Sequence, residues 1–206
     1  MYLPKQFNHP EHARSIILEN PFASLVSNDD EGFPFISHIP IKLMPHATDA
    51  QQDMLLGHVA KGNPHAGFLH KRPQVLLTFM GPQAYMSPAV YPDLIRVPTW
   101  SYVAVHVKAE VRILEGEEAK DSLLKQLIAD HEPAYAQQWR GLPETYTHPM
   151  MNAIVAFEMK MLEVQTKVKL NQHRPEAHAA MHAAYDAGNE SEKALALWMR
   201  RLGLVS

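Results

Sequence analysis

The sequence contains no cysteine, which excludes disulfides, thiolate metal sites and thiol catalysis and is consistent with a reducing interior. Any redox chemistry therefore has to come from a bound cofactor. No hydrophobic run approaches the roughly 18 residues of a membrane span, and the N-terminus lacks the charged-then-apolar order of a signal peptide. The chain is accordingly expected to be cytoplasmic, with no membrane partner. Lys and Arg number 19 against 22 Asp and Glu, so the formal charge is −3. That argues against a chain-wide phosphate-backbone footprint and leaves room only for a local one. A GxGxxG stretch for a dinucleotide is missing, as are a nucleophile–base arrangement, an internal repeat and a low-complexity tract, so no catalytic residue is assigned.

What the chain does have is 206 residues, 46% of them hydrophobic, enough for one globular domain or a domain with an appendage. The organising stretch is Val97 to Val107. Pro98 fixes its own φ and pushes Val97 to extended geometry, after which Val103, Val105 and Val107 share one face and Tyr102, Ala104 and His106 the other. This is either a buried strand whose mouth faces a ligand or a core strand with an aromatic plug. Before it, a short helix with Pro10 in its first turn ends at Asn20-Pro21. A strand Phe22 to Ser27 turns through Asn28 to Gly32 into a partner Phe35 to Met44, where Pro40 argues for an edge or a bulge. Met54 to Pro64 reads as a strand running into a glycine-flanked turn that delivers His58, Lys61 and Asn63 ahead of a short helix. That turn is either a phosphate cradle or an ordinary strand-to-helix connection.

Val75 to Met80 is a further strand, followed by a Gly81-Pro82 turn and a Pro-rich loop, Ser87 to Pro98. Glu117 to Asp130 has helical periodicity with acidic residues early, as the helix dipole prefers. A polar loop, Trp139 to Pro149, leads to a last long strand, Ile154 to Val168. Pro175 to Ala187 and Ser191 to Leu202 form a two-helix end, with Ser191 expected as N-cap. Strands joined by short turns, with one covering helix, predict a mainly β protein with helical additions (α+β), an antiparallel barrel. His178 and His182 share a helix face, but no HExxH pattern or nearby carboxylate completes a metal site, and none is expected. The tail has helix-turn-helix proportions. Its second helix offers only Lys193, Arg200 and Arg201 with Glu190 and Glu192 at its entrance, which favours packing over DNA reading.

Seven collinear motifs carry a family resemblance: Met1-Tyr2-x-Pro4, Pro21 to Ser27, Ser37-His38-x-Pro40, Gly57-His58-x-Ala60-Lys61-x-Asn63-Pro64, Gly81-Pro82-x-Ala84-Tyr85, Val97-Pro98-Thr99-Trp100-x-Tyr102-x-Ala104-Val105-His106 and Lys169-Leu170-x-Gln172-x-Arg174. Together they resemble the PaiB-type FMN-binding negative transcriptional regulators, over nearly the whole chain. The resemblance implies an FMN-binding split β-barrel related to pyridoxamine-phosphate oxidases and flavin reductases. It also implies a homodimer with flavin near the subunit boundary, FMN as cofactor, and DNA as a partner on this ground only. Residues 1–168 would be the barrel and 169–206 a helical extension packed on it. Ser37, His38, His58, Lys61 and Asn63 are then candidates for the FMN phosphate, and Thr99, Trp100 and Ser101 for the ring. Lys169, Gln172 and Arg174 are candidates to reach a neighbouring flavin. Lys61 stands where the family more often has Arg, which keeps the charge and loses the bidentate fork. The alternative function is a flavin-dependent oxidoreductase, of reductase or oxidase type, acting on a small substrate. Trp100, Phe157 and Met159 are expected at the subunit boundary.

Overall fold

The computed structural model describes residues 1–93 and 95–206, with Gln51 described by its backbone alone; Leu94, inside the Ser87 to Pro98 loop, lies outside the described residues. Seven strands alternate with helices: β1 Phe22–Asn28, β2 Pro34–Pro40, β3 Lys42–Met44, β4 Met54–Ala60, β5 Gln74–Met86, β6 Thr99–Leu114 and β7 Ile154–Lys169. Their order is β2-β1-β5-β6-β7-β4-β3, and the β1–β2, β1–β5, β3–β4 and β4–β7 pairs are antiparallel. The helices are α1 Ala13–Glu19, α2 Pro64–Lys71, α3 Glu117–His131, α4 Tyr135–Arg140, α5 Glu144–Asn152, α6 His178–Asp186 and α7 Glu190–Arg201. No described helix is long and apolar enough to cross a membrane. The chain forms two compact units, one of Met1–Asn20, Phe79–His106 and Val164–Ser206, the other of Pro21–Thr78 and Val107–Glu163.

In the second of these units, β1 and β2 form a hairpin closed by Asp29, whose Oδ1 accepts from the backbone N–H of Glu31 and of Phe33, while Gly32 takes φ +88°. Alternation buries Ala23, Leu25 and Ser27 of β1 and Ser37 and Ile39 of β2. As Pro40 suggested, β2 is an edge strand and breaks at Ile41 before β3. The periodic residues of α3, Leu123 and Leu127, pack with Leu56 and Ala156. The segment expected as a polar loop from Trp139 to Pro149 instead holds the end of α4 and most of α5. Pro143 precedes the first turn of α5, where no N–H bond is lost, and Pro149 lies inside the helix. Trp139 Nε1 donates to Asp121 at 3.0 Å, tying α4 to α3.

In the first unit, Gly81-Pro82 does not turn. β5 runs through it as one strand of 13 residues. A Cβ on Gly81 would lie 3.2 Å from that of Val103, so glycine is what allows the close approach of β6. Just past Pro82, which has no N–H, the backbone N–H of Gln83 donates to Ser191 Oγ at 2.9 Å, and that hydroxyl donates back to Gln83 O at 2.8 Å. Ser191 is therefore engaged with β5, and the N-cap of α7 is Asn189, which makes a reciprocal capping box with Glu192. Leu195, Ala196, Trp198 and Met199 form the buried stripe of α7. Phe157 and Met159, expected at a subunit boundary, are fully buried inside their own protomer, because both point to the core face of β7; Trp100 is 55% exposed.

A Cβ at Gly57 would lie 2.8 Å from Ile41 Cδ1 and 3.0 Å from Phe157 Cε2. Gly57→Ala is therefore expected to lower the denaturant midpoint by an overpacking cost of about 1–3 kcal/mol. An unchanged midpoint would mean that Ile41 yields without strain.

Candidate functional site

A cavity of about 400 Å³ opens in the unit that holds the start of β6, within the size range of small-molecule sites. Thr99, Trp100 and Ser101 line it from the first residues of β6. Tyr2 and Phe7 from the N-terminal segment, Tyr91 and Arg96 from the loop before β6, and Lys169, Asn171 and Arg174 from the end of β7 complete most of the rest.

Two staples shape this end of the chain. Gln172 Oε1 accepts from the backbone N–H of Leu170 at 2.9 Å, and its amide nitrogen donates to Val168 O at 2.6 Å. The second is Asn171, at φ +60°, a left-handed conformation that asparagine tolerates better than most side-chain-bearing residues. Its backbone carbonyl accepts from His178 Nε2 at 3.0 Å and from the N–H of Arg174 at 2.9 Å, and its Oδ1 accepts from the Tyr91 hydroxyl at 3.2 Å. The chain therefore reverses within four residues and returns Arg174 to the cavity that Lys169 also lines.

The cavity is cationic and aromatic. Lys169 Nζ donates to Thr99 Oγ1 at 2.5 Å, and burial, with the nearby Lys167 charge, holds its ammonium below the usual lysine range. The Arg96 guanidinium lies 5.1 Å from the centre of the Tyr91 ring. Trp100 meets Tyr85 edge-on at 6.3 Å. Two buried donors in this lining, Arg96 Nε and Asn171 Nδ2, have no hydrogen-bond partner among the described residues. An unpaired buried donor costs about 1–3 kcal/mol, so such groups call for a ligand or water. The Ser101 side chain is buried beside the Tyr185 hydroxyl.

The other sequence-derived candidates lie in the second unit. Ser37 and Asn63 are brought together: Asn63 Nδ2 donates to Ser37 Oγ at 3.0 Å, and Asn63 Oδ1 caps α2 by accepting from the N–H of His65 at 2.9 Å. His65, which the sequence did not single out, is fully buried between Ser37 Oγ at 2.9 Å from Nδ1 and Ser27 Oγ at 3.0 Å from Nε2. Ser37 Oγ, with one proton and two lone pairs, thus bonds both the Asn63 amide and the His65 ring. His38 is outside this network, exposed and bonded to Ser24 Oγ at 3.0 Å. His58 is half-buried, with Nδ1 lacking a partner among the described residues, and burial holds its ring below the usual imidazole value. Lys61 is exposed and lines a separate cavity of about 230 Å³ with His70, Lys120 and Asn152. Thus five of the eleven candidates gather around the large cavity, Ser37 and Asn63 form an internal network, and Gln172 serves the loop itself. Arg96 and Tyr91 escaped notice because a proline-rich connection carries no periodicity to mark them.

Burial keeps His65 neutral in the fold, below the 6.5 of a free imidazole. A depressed folded pKa contributes stability that is present above the unfolded value and lost as pH falls through and below it. The denaturant midpoint is therefore expected to drop between about pH 7.5 and 5.5, and to drop less in His65→Gln. Equal slopes would remove His65 as a source of the acid sensitivity.

With the geometry in place, comparison with known proteins gives a family. Residues 1–163 match the family described as "Putative FMN-binding domain". The chain is 31% identical over 185 residues to "Protease synthase and sporulation protein PAI 2" of Bacillus subtilis (strain 168), covering 85% of this chain and 84% of that protein. Among solved structures it is similar to the flavocytochrome Anf3 from Azotobacter vinelandii (TM-score 0.59, 14% identity, 80% of this chain and 69% of that one). It is also similar to the FAD and heme binding protein from Mycobacterium smegmatis (TM-score 0.58, 14% identity, 79% of this chain and 72% of that one). At that identity the two structures speak for the fold. The chain belongs to the PaiB-type family of FMN-binding proteins and has the flavin-binding split-barrel fold.

Proposed function

We propose that this chain is an FMN-binding regulator of the PaiB type whose 400 Å³ cavity receives the isoalloxazine ring. The observation that carries this reading is the lining itself, in which aromatic rings, three cationic side chains and two unpartnered buried donors meet. These residues fit the group. A planar ring needs an aromatic wall, here Trp100 and Tyr91, and a polar edge needs donors, here Asn171 Nδ2 and Lys169. Bound FMN would supply one- or two-electron redox chemistry that no side chain of this cysteine-free sequence supplies. The exposed Lys61 ahead of the capped N-terminus of α2 remains the phosphate candidate that the family resemblance implies, and it is tested independently of the cavity.

Regulation on this reading does not run through a DNA-reading face on α7. Each of its three cations has an acidic neighbour: Lys193 with Glu190 at 3.1 Å, Arg200 with Asp186 at 3.6 Å and Arg201 with Glu19 at 2.9 Å. NAD(P)H-dependent flavin reduction by the purified protein would separate the second reading, a flavin-dependent oxidoreductase, from salt-sensitive promoter binding. A homodimer is part of the proposal. It is supported by exposed apolar side chains on sheet faces, Trp100 and Tyr85 in one unit and Phe22 and Ile36 in the other.

Purified protein mixed with FMN is expected to stay yellow through gel filtration. Trp100→Ala should weaken FMN and riboflavin alike, by about three- to ten-fold for one aromatic contact. Lys61→Ala should weaken FMN about ten- to a hundred-fold and riboflavin little, since only FMN carries the anion. If Trp100→Ala leaves both flavins untouched, the ring does not sit in this cavity; if Lys61→Ala affects both equally, the phosphate is not at that turn.

A further inference from the structure

We infer that Arg96 and Arg174 form an oxyanion subsite of the large cavity, that it takes the phosphate or carboxylate of a bound small molecule, and that Glu176 occupies it in the ligand's absence. Glu176 Oε1 lies 3.7 Å from Arg96 Nη2 and 3.9 Å from Arg174 Nη1. Charge-assisted hydrogen bonds measure about 2.7–2.9 Å, so this oxygen sits between two guanidinium groups and is bonded to neither. It is a counter-ion rather than a partner.

Arg96 is set in place without it. Its guanidinium packs over Tyr91, Nη1 donates to Ile95 O at 2.9 Å, and Nη2 meets Asp93 Oδ2 at 2.8 Å. What stays open is Nε, buried and unpartnered, in the same lining as the amide of Asn171, which is only 6% exposed and whose Nδ2 is also unpartnered. A phosphate presents several oxygens in the geometry that guanidinium forks match, and it can satisfy both arginines at bonding distance where one distant carboxylate oxygen cannot. Glu176 lies in the turn Pro175–Ala177, directly before α6. Its displacement by a ligand anion would thus act on the entry to the two-helix tail, and only to the extent that the anion binds better with Glu176 displaced. The subsite stands on these contacts alone; were its oxyanion the phosphate of FMN, Arg96 and Arg174 would hold that phosphate in place of Lys61, and only the presence of a flavin in the cavity rests on the reading above.

The test titrates the full-length protein, Glu176→Gln and the double variant Arg96→Gln with Arg174→Gln, at low salt, with inorganic phosphate, FMN and riboflavin. Far-ultraviolet circular dichroism checks that each variant is folded. Glu176→Gln is expected to bind inorganic phosphate about three- to ten-fold more tightly than the parent, since it removes one partly exposed competing charge, and the double variant to lose that binding. Riboflavin affinity should not respond to Glu176→Gln. If FMN follows inorganic phosphate across the series, the oxyanion is the cofactor's own. If FMN follows riboflavin, the subsite serves a second, anionic ligand. Phosphate binding that is absent from Glu176→Gln, or the same in all three proteins, overturns the subsite. Failure of both flavins to bind, with the phosphate response intact, overturns only the flavin reading.

Discussion

In β6, Ser101, Val103, Val105 and Val107 are buried on one face, and Ala104 is buried on the other between the half-buried Tyr102 and His106. The backbone N–H and C=O groups of a strand this buried are bonded by its neighbours. β5 and β7 flank β6 for that reason. Where they approach most closely the chain uses glycine, since any side chain at Gly81 would meet Val103. The large cavity opens at the Thr99 end of the strand, where the regular ladder gives way to the irregular chain before it.

The two polar clusters of the molecule differ in how completely they are satisfied. Around His65, each hydroxyl, amide and ring nitrogen has a partner, and a closed network of this kind holds its elements in one arrangement. It joins β1, β2 and the start of α2, and that rigidity holds the turn carrying Lys61. Around the large cavity the reverse holds: donors remain open, like charges share one lining, and a carboxylate hovers between two arginines. A fold tolerates such an imbalance where something else completes it.

The loop from Leu170 to Arg174 links that cavity to the tail. Its path is fixed by hydrogen bonds from Gln172 and by the left-handed Asn171, and it ends at the turn that begins the entry to α6. On the far side, α7 is fastened by the Asn189–Glu192 box at its start, by Ser191 against β5 and by Trp198, whose ring meets His12 edge-on at 5.2 Å. The tail is consequently part of the packed unit, and anything that moves the Pro175–Ala177 turn has to be accommodated by these contacts.

By itself the sequence determined the elements whose signals are local. Alternation in Phe22 to Ser27 and Val103 to Val107, and the helical spacing of Leu123 and Leu127, recur as strand and helix because the buried faces they create follow from period alone. The collinear motifs determined the family, and Thr99, Trp100, Ser101, Lys169 and Arg174, drawn from two of them, line one cavity. Tertiary structure decided the rest. Gly81-Pro82 continues a strand because Ser191, more than a hundred residues away, takes up the backbone beside it. Ser191 is not a cap for the same reason, and Phe157 and Met159 are core because β4 and its neighbours cover them. Arg96 became a site residue only when a loop without periodicity folded against Tyr91 and brought it near Glu176. These are contacts between residues distant in sequence, and neither propensity nor spacing encodes which distant group will arrive.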